Sequence, residues 1–150
     1  MQTVYFIQHG IALTSAEDEN RPLSNVGIDE VRSVADRLRN CGIEIIKVYH
    51  SGKLRAQQTA EVFAQTFKSG EVLELEGMGP NDEAHLLIDQ LSEDKALYVG
   101  HLPNIQKVVS TLIAGNELAE TIRFKNAAVA CVEMDGQGAG LKWFITPDLC

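Results

Sequence analysis

A chain of 150 residues, 45% hydrophobic and 23% charged, has the size and composition of one soluble globular domain, residues 1–150, and can bury a core without disulfide or metal staples. A formal net charge of −8 excludes sequence-independent nucleic-acid binding, which needs a basic face. It allows a small positive pocket, because charge is screened over about 8 Å at physiological ionic strength.

Thr3-Val4-Tyr5-Phe6-Ile7 is an apolar, β-rich run that reads as a strand buried on both faces, with Gln8-His9-Gly10 at its end. Residues 14–20 are polar and acidic, as in a loop. Ser24 is a good N-cap, Asp29 and Glu30 follow in the early turns, and Ile28, Val31, Ala35 and Leu38 form an apolar helical stripe that Gly42 can stop. Ile45–Tyr49 is a second strand ending at His50-Ser51, and a helix runs from about Leu54 to Phe67. A short third strand spans Val72–Leu75, loop chemistry spans Gly77–Asp82, and Glu83–Leu91 looks helical. Ala96–Val99 is a fourth buried strand ending at Gly100-His101, followed by a helix over Asn104–Ala114. Late strands near Ala127–Met134 and Leu141–Thr146 flank Asp135–Gly140, a hairpin loop whose spaced glycines open no helix and are no nucleotide-binding turn. The alternation predicts an α/β fold: a three-layer α/β/α sandwich on a mostly parallel mixed sheet, with an antiparallel element at the end.

The chemistry-bearing residues fall at strand ends. His9 follows the first strand, Ser51 and Arg55 the second, and His101 the fourth. Open α/β sheets bind ligands beyond their C-terminal strand ends, so these groups are expected at one edge. His50 reads as structural and His85 as surface helix. Cys41, Cys131 and Cys150 lack paired or metal-type spacing; two buried small apolar residues and one terminal thiol are expected. No segment has the form of a signal peptide or the ~20 apolar residues of a membrane span, so the cytoplasm is the expected compartment.

Four segments carry a family resemblance. Gln8-His9-Gly10 resembles the Arg-His-Gly signature of the histidine phosphatase (phosphoglycerate mutase-like) superfamily. Arg21-Pro22-Leu23-Ser24 with Gly27, Ser51 to Ala60 around Arg55-Ala56, and Gly100-His101-Leu102-Pro103 are similar to its later motifs, in the family order. The short length is most similar to the SixA-type phosphohistidine phosphatases. The resemblance implies a phosphoglycerate mutase-like fold and a metal-independent phosphatase without cofactor. His9 would attack phosphorus and carry the phosphoryl group. Arg55 and His101 would bind phosphate oxygens, with Gln8 and Arg21 as further phosphate contacts. The substrate would be phosphohistidine in a partner protein or a small phosphorylated compound. Neutral imidazole is a suitable nucleophile, its other ring nitrogen fixed by a backbone carbonyl, and a guanidinium fork suits phosphate.

Two positions depart from the pattern. Gln8 stands where the signature has Arg, which removes a charge and a fork and predicts a slow enzyme. It should also lift a field that depresses the His9 pKa. Gly52 stands where related sequences often carry Pro. No general acid is obvious; Glu17, Asp18, Glu19 and Asp82 are candidates, each better read as solvated loop. The good leaving group of phosphohistidine suits a missing acid. Two rival readings are a catalytically inactive phosphate- or phosphoprotein-binding module, and a metal-dependent hydrolase using His9 and His101.

Overall fold

The computed structural model describes residues 1–150. Strand β1 (Gln2–Gln8) leads to helix α1 (Asn25–Asn40), then β2 (Lys47–His50), α2 (Leu54–Phe67), β3 (Leu73–Glu74), α3 (Ala84–Ile88), β4 (Ala96–Gly100), α4 (Asn104–Ala114) and the hairpin β5 (Val129–Asp135) and β6 (Gly138–Ile145). The sheet order is β3-β2-β4-β1-β5-β6. β1 to β4 are mutually parallel, β5 runs antiparallel to β1, and β6 antiparallel to β5. This is the mixed sheet expected from the alternation of elements.

Strand periodicity sorts side chains onto two faces. Tyr5, Ile7, Leu97 and Val99 pack with Val31, Val34, Ala35 and Leu38 of α1 and with Ala56, Ala60 and Phe63 of α2. Val4, Phe6, Ala96 and Tyr98 pack on the other side with Ala84 and Leu87 of α3 and Ile105, Val108 and Val109 of α4. β1 and β4 are buried on both faces, as their unbroken apolar runs require. No helix is long and apolar enough to cross a membrane.

Several boundaries differ from the sequence expectation. β3 shrinks to two exposed residues at the sheet edge, where pairing is one-sided. The helix after it is only five residues long. Ile45 and Ile46 precede β2 rather than opening it: Ile45 is buried while Ile46 is exposed. Gly138 to Gly140 belong to β6, and the hairpin turn is only Gly136-Gln137, held by Asp135 Oδ1 accepting from the amides of Gln137 and Gly138 at 2.8 and 3.1 Å. Ser24 caps α1 through Gly27 N–H at 3.0 Å, but the first turn holds no acid; Asp29 and Glu30 lie one turn on. Gly27 lies against the Ile11 carbonyl where a Cβ would collide, so the loop before α1 lies flat on the helix. Cys41 is exposed at the end of α1, and only Cys131 is buried, because the apolar stripe ends one turn earlier at Leu38.

Candidate active site

The register of β1 and β4 sets the site. Gln8 pairs with Gly100, so His9 and His101 are each one residue past the last pair on adjacent parallel strands. Their parity with Ile7 and Val99 turns both toward the α2 face. The ring centroids lie 4.9 Å apart, close to the strand spacing itself. β2 borders β4 on the other side and delivers Ser51, and α2 brings Arg55 in its first turn. The groups expected at one edge are therefore together, at the C-terminal ends of three neighbouring strands.

His9 is 8% exposed and fully bonded. Its Nδ1 donates to the Gly10 carbonyl at 2.7 Å; a carbonyl only accepts, so the proton is on Nδ1. The bare Nε2 accepts from Arg55 Nε–H at 3.3 Å. The His9 carbonyl accepts from Asn126 Nδ2 at 3.0 Å. Thr59 ties the strand end to α2, its Oγ1 accepting from Gly10 N–H at 3.0 Å and donating to the Arg55 carbonyl at 2.8 Å. Burial pushes the His9 pKa down to about 4. The Gly10 bond opposes this, and the Arg55 and Arg21 charges add to it. The depression therefore needs no cation at position 8.

His101 is 2% exposed. Its Nε2 lies 2.6 Å from Ser51 Oγ, and its Nδ1 is buried without a partner. Burial, then the charges of His9, Arg55, Lys53 and Arg21, push its pKa down to about 3. Arg55 is itself lowered by burial and by neighbouring Arg21. Both rings are thus neutral donors or acceptors near pH 7, inside a positive field on a molecule of net charge −8.

Arg21 joins this field with a left-handed backbone (φ 48°), its Nε donating to the Leu13 carbonyl at 3.0 Å. Gln8 points the other way. Its parity is that of Phe6, on the α3–α4 face, and its Oε1 is buried without a donor. No hydrogen bond joins its side chain to either imidazole. The acidic candidates also divide. Glu17 accepts from Thr14 and Asp18 from Asn20, both within their own turn. Glu19 is exposed. Asp82 lines a cavity of about 810 Å³ with Ser51, Lys53, Glu74, Glu76 and Asp89, which reaches the site at Ser51 but includes neither imidazole. Gly52 has φ +97°, which proline cannot adopt, and the Glu74 carboxylate fills the place of its missing Cβ. His50 is buried, its Nδ1 accepting from Gly52 N–H at 3.0 Å, a structural role as expected. His85 is on the surface beside Glu83.

Asn126 carries no sequence signal, because it reaches His9 across 117 residues on a segment outside every motif. Thr59 sits inside the segment around Arg55, but its bridging role depends on the strand end that it faces.

A six-stranded mixed sheet with this edge site is the phosphoglycerate mutase-like α/β fold. Residues 4–79 match the model of the histidine phosphatase superfamily (branch 1). Phosphohistidine phosphatase SixA of Escherichia coli (strain K12) is 33% identical over 96% of this chain and 93% of that protein. The structure of the protein histidine phosphatase SixA complexed with tungstate superposes with a TM-score of 0.84 at 27% identity, covering 99% of both chains. The alpha-ribazole phosphatase from Shigella flexneri shares the fold alone, with a TM-score of 0.81 at 14% identity over 97% of both chains. The chain belongs to the histidine phosphatase superfamily, and its kinship with SixA places it among the phosphatases, as hydrolases of phosphoryl groups.

Proposed function

We propose that the protein is a metal-independent phosphohistidine phosphatase that works through a phospho-His9 intermediate. The single observation that carries this reading is the bare Nε2 of His9, held neutral by burial and aligned by the Gly10 carbonyl, beside Arg55 and His101. Nε2 attacks phosphorus as the bond from phosphorus to the substrate imidazole breaks. Water then attacks phospho-His9, releasing inorganic phosphate and restoring the ring. Arg55, Arg21 and His101 supply the positive and donor groups that stabilise the transferring phosphoryl oxygens. The two imidazoles are accompanied by no third His, Cys, Asp or Glu in a metal-binding group, which favours a field made by side chains; undiminished turnover in strong chelator is the expected result. The partner is phosphohistidine in a protein or a small phosphorylated compound, met in the cytoplasm. Phosphohistidine leaves as imidazole and asks little of an acid, which fits the absence of a carboxylate bonded to either ring.

Gln8 favours a second reading, a phosphate-binding module whose chemistry has decayed. Rapid-quench labelling with a phosphoramidate donor separates the two. Catalysis predicts an acid-labile, base-stable phosphoenzyme that His9→Ala abolishes. Tight binding of inorganic phosphate with no labelled protein would leave only the module.

A further inference from the structure

The proposed mechanism uses His101 as a donor, and the structure shows what aims it. An imidazole that is neutral carries one N–H, and a ligand can meet it only at an exposed edge. Nδ1 of His101 is sealed inside the protein without a partner. Nε2 is therefore the edge that faces ligand, and Ser51 Oγ lies 2.6 Å from it. Ser51 Oγ is also within 3.4 Å of Lys53 N–H, which only donates. With the His101 proton on Nε2, the hydroxyl would accept from both neighbours and keep its own hydrogen free.

We infer that Ser51 both positions His101 and meets the ligand. In the free site its Oγ accepts the His101 Nε2–H and so holds the proton on Nε2. A phosphoryl oxygen arriving at that edge takes over this N–H while the Ser51 hydroxyl hydrogen turns to the same oxygen. This rests on the phosphatase reading above. The His9 ring at the end of β1 lies 4.9 Å from the His101 ring, and the charges that act on it come from Lys53 and Arg55 at the start of α2 and from Arg21 in the loop before α1. Lys53, Arg55 and Arg21 are cations that only donate, and the bare Nε2 of His9 already accepts from Arg55 Nε–H, so Ser51 Oγ is the acceptor left for the Nε2 proton. The segment that carries Ser51 is set by Gly52, whose positive φ turns the chain directly into α2.

The test begins on the ligand-free protein, so it stands whether or not the protein turns over. Nitrogen-15 NMR of His101 should show Nε2 protonated and Nδ1 bare near pH 7; the reverse tautomer would overturn the inference. In Ser51→Ala the two tautomers should mix, inorganic phosphate should bind about tenfold more weakly, the size of one hydrogen bond, and the acid limb of the pH–kcat/KM profile should move. Ser51→Thr, which keeps the hydroxyl, should restore tautomer and phosphate affinity to within about threefold, a residual allowed for the added methyl. If Ser51→Thr binds as poorly as Ser51→Ala, or if Ser51→Ala leaves the tautomer unchanged, Ser51 only fills space. Failure of the phosphatase reading alone would show instead as correct tautomer and binding effects with no phosphoenzyme.

Discussion

His9 and His101 end neighbouring strands one residue past the same pair, and the surrounding protein treats them differently. At His9, both ring nitrogens and the main-chain carbonyl have partners: Gly10, Arg55 and Asn126. At His101, one nitrogen has Ser51, the other has nothing, and the carbonyl accepts from the backbone amide of Ile105 at 2.9 Å rather than from a distant side chain. A nucleophile must present one lone pair in one direction, so a ring held at both nitrogens suits it. A donor that follows a moving phosphoryl oxygen needs only its proton placed. The contrast teaches that two equivalent backbone positions become different groups through side chains from other elements.

The largest effect should come from breaking the partner that His9 has and His101 lacks. Arg55→Lys keeps a charge but removes the fork and the Nε–H aimed at His9 Nε2. It should lower kcat/KM by about 10²–10³-fold, as for loss of a transition-state donor, measured with a phosphoramidate substrate. A loss below threefold would take Arg55 out of the mechanism. Next in size is Gln8→Arg. Its side chain must leave the α3–α4 face to reach the phosphoryl group, and it should raise turnover about tenfold or more. An unchanged or lower rate would show that position 8 does not limit catalysis.

Much of this edge was legible in the sequence. Apolar runs followed at once by Gln8-His9-Gly10 and Gly100-His101 are strand ends with polar groups on them, and the α/β alternation sends such ends to one side. The motif order then implied that His9, Arg55 and His101 would meet. Strand order was not legible: nothing local says that β4 inserts between β2 and β1, and that insertion is what puts the imidazoles side by side. Parity at the strand end was equally silent about Gln8, which lies one residue before His9 and so faces the opposite layer. Asn126 was invisible because its partner is a main-chain carbonyl, which every residue has.

A pH series sharpens the comparison through stability. The folded pKa values, about 4 for His9 and about 3 for His101, lie below the ordinary 6.5. Between those values and 6.5 the unfolded chain binds more protons than the folded one. Stability therefore rises with pH through that window, levels off above about 6.5, and is lost as pH falls. Urea unfolding at pH 7, 6 and 5 should show a falling midpoint that is flatter in a His9→Gln, His101→Gln double variant. A midpoint independent of pH in the unsubstituted protein would mean that neither ring is held neutral by the fold.

The smallest effect isolates the support that His9 has from afar. Asn126 donates to the His9 carbonyl at 3.0 Å, and the next residue, Ala127, holds a left-handed φ of 65° while its amide donates to the Gln8 carbonyl at 2.9 Å. A non-glycine residue there costs on the order of 1 kcal/mol, so the segment stays in place only because these bonds over-determine it. Asn126→Ala removes one of them and leaves a carbonyl with no side-chain donor, which should cost about 1 kcal/mol of stability and lower Tm by about 2–4 °C. The same change frees the chain at the strand end and should lower kcat more than it raises KM, because the proposed nucleophile, not the proposed phosphate pocket, loses its anchor. If instead KM rises and kcat holds, Asn126 serves the pocket that includes His101, and the two histidines share one support.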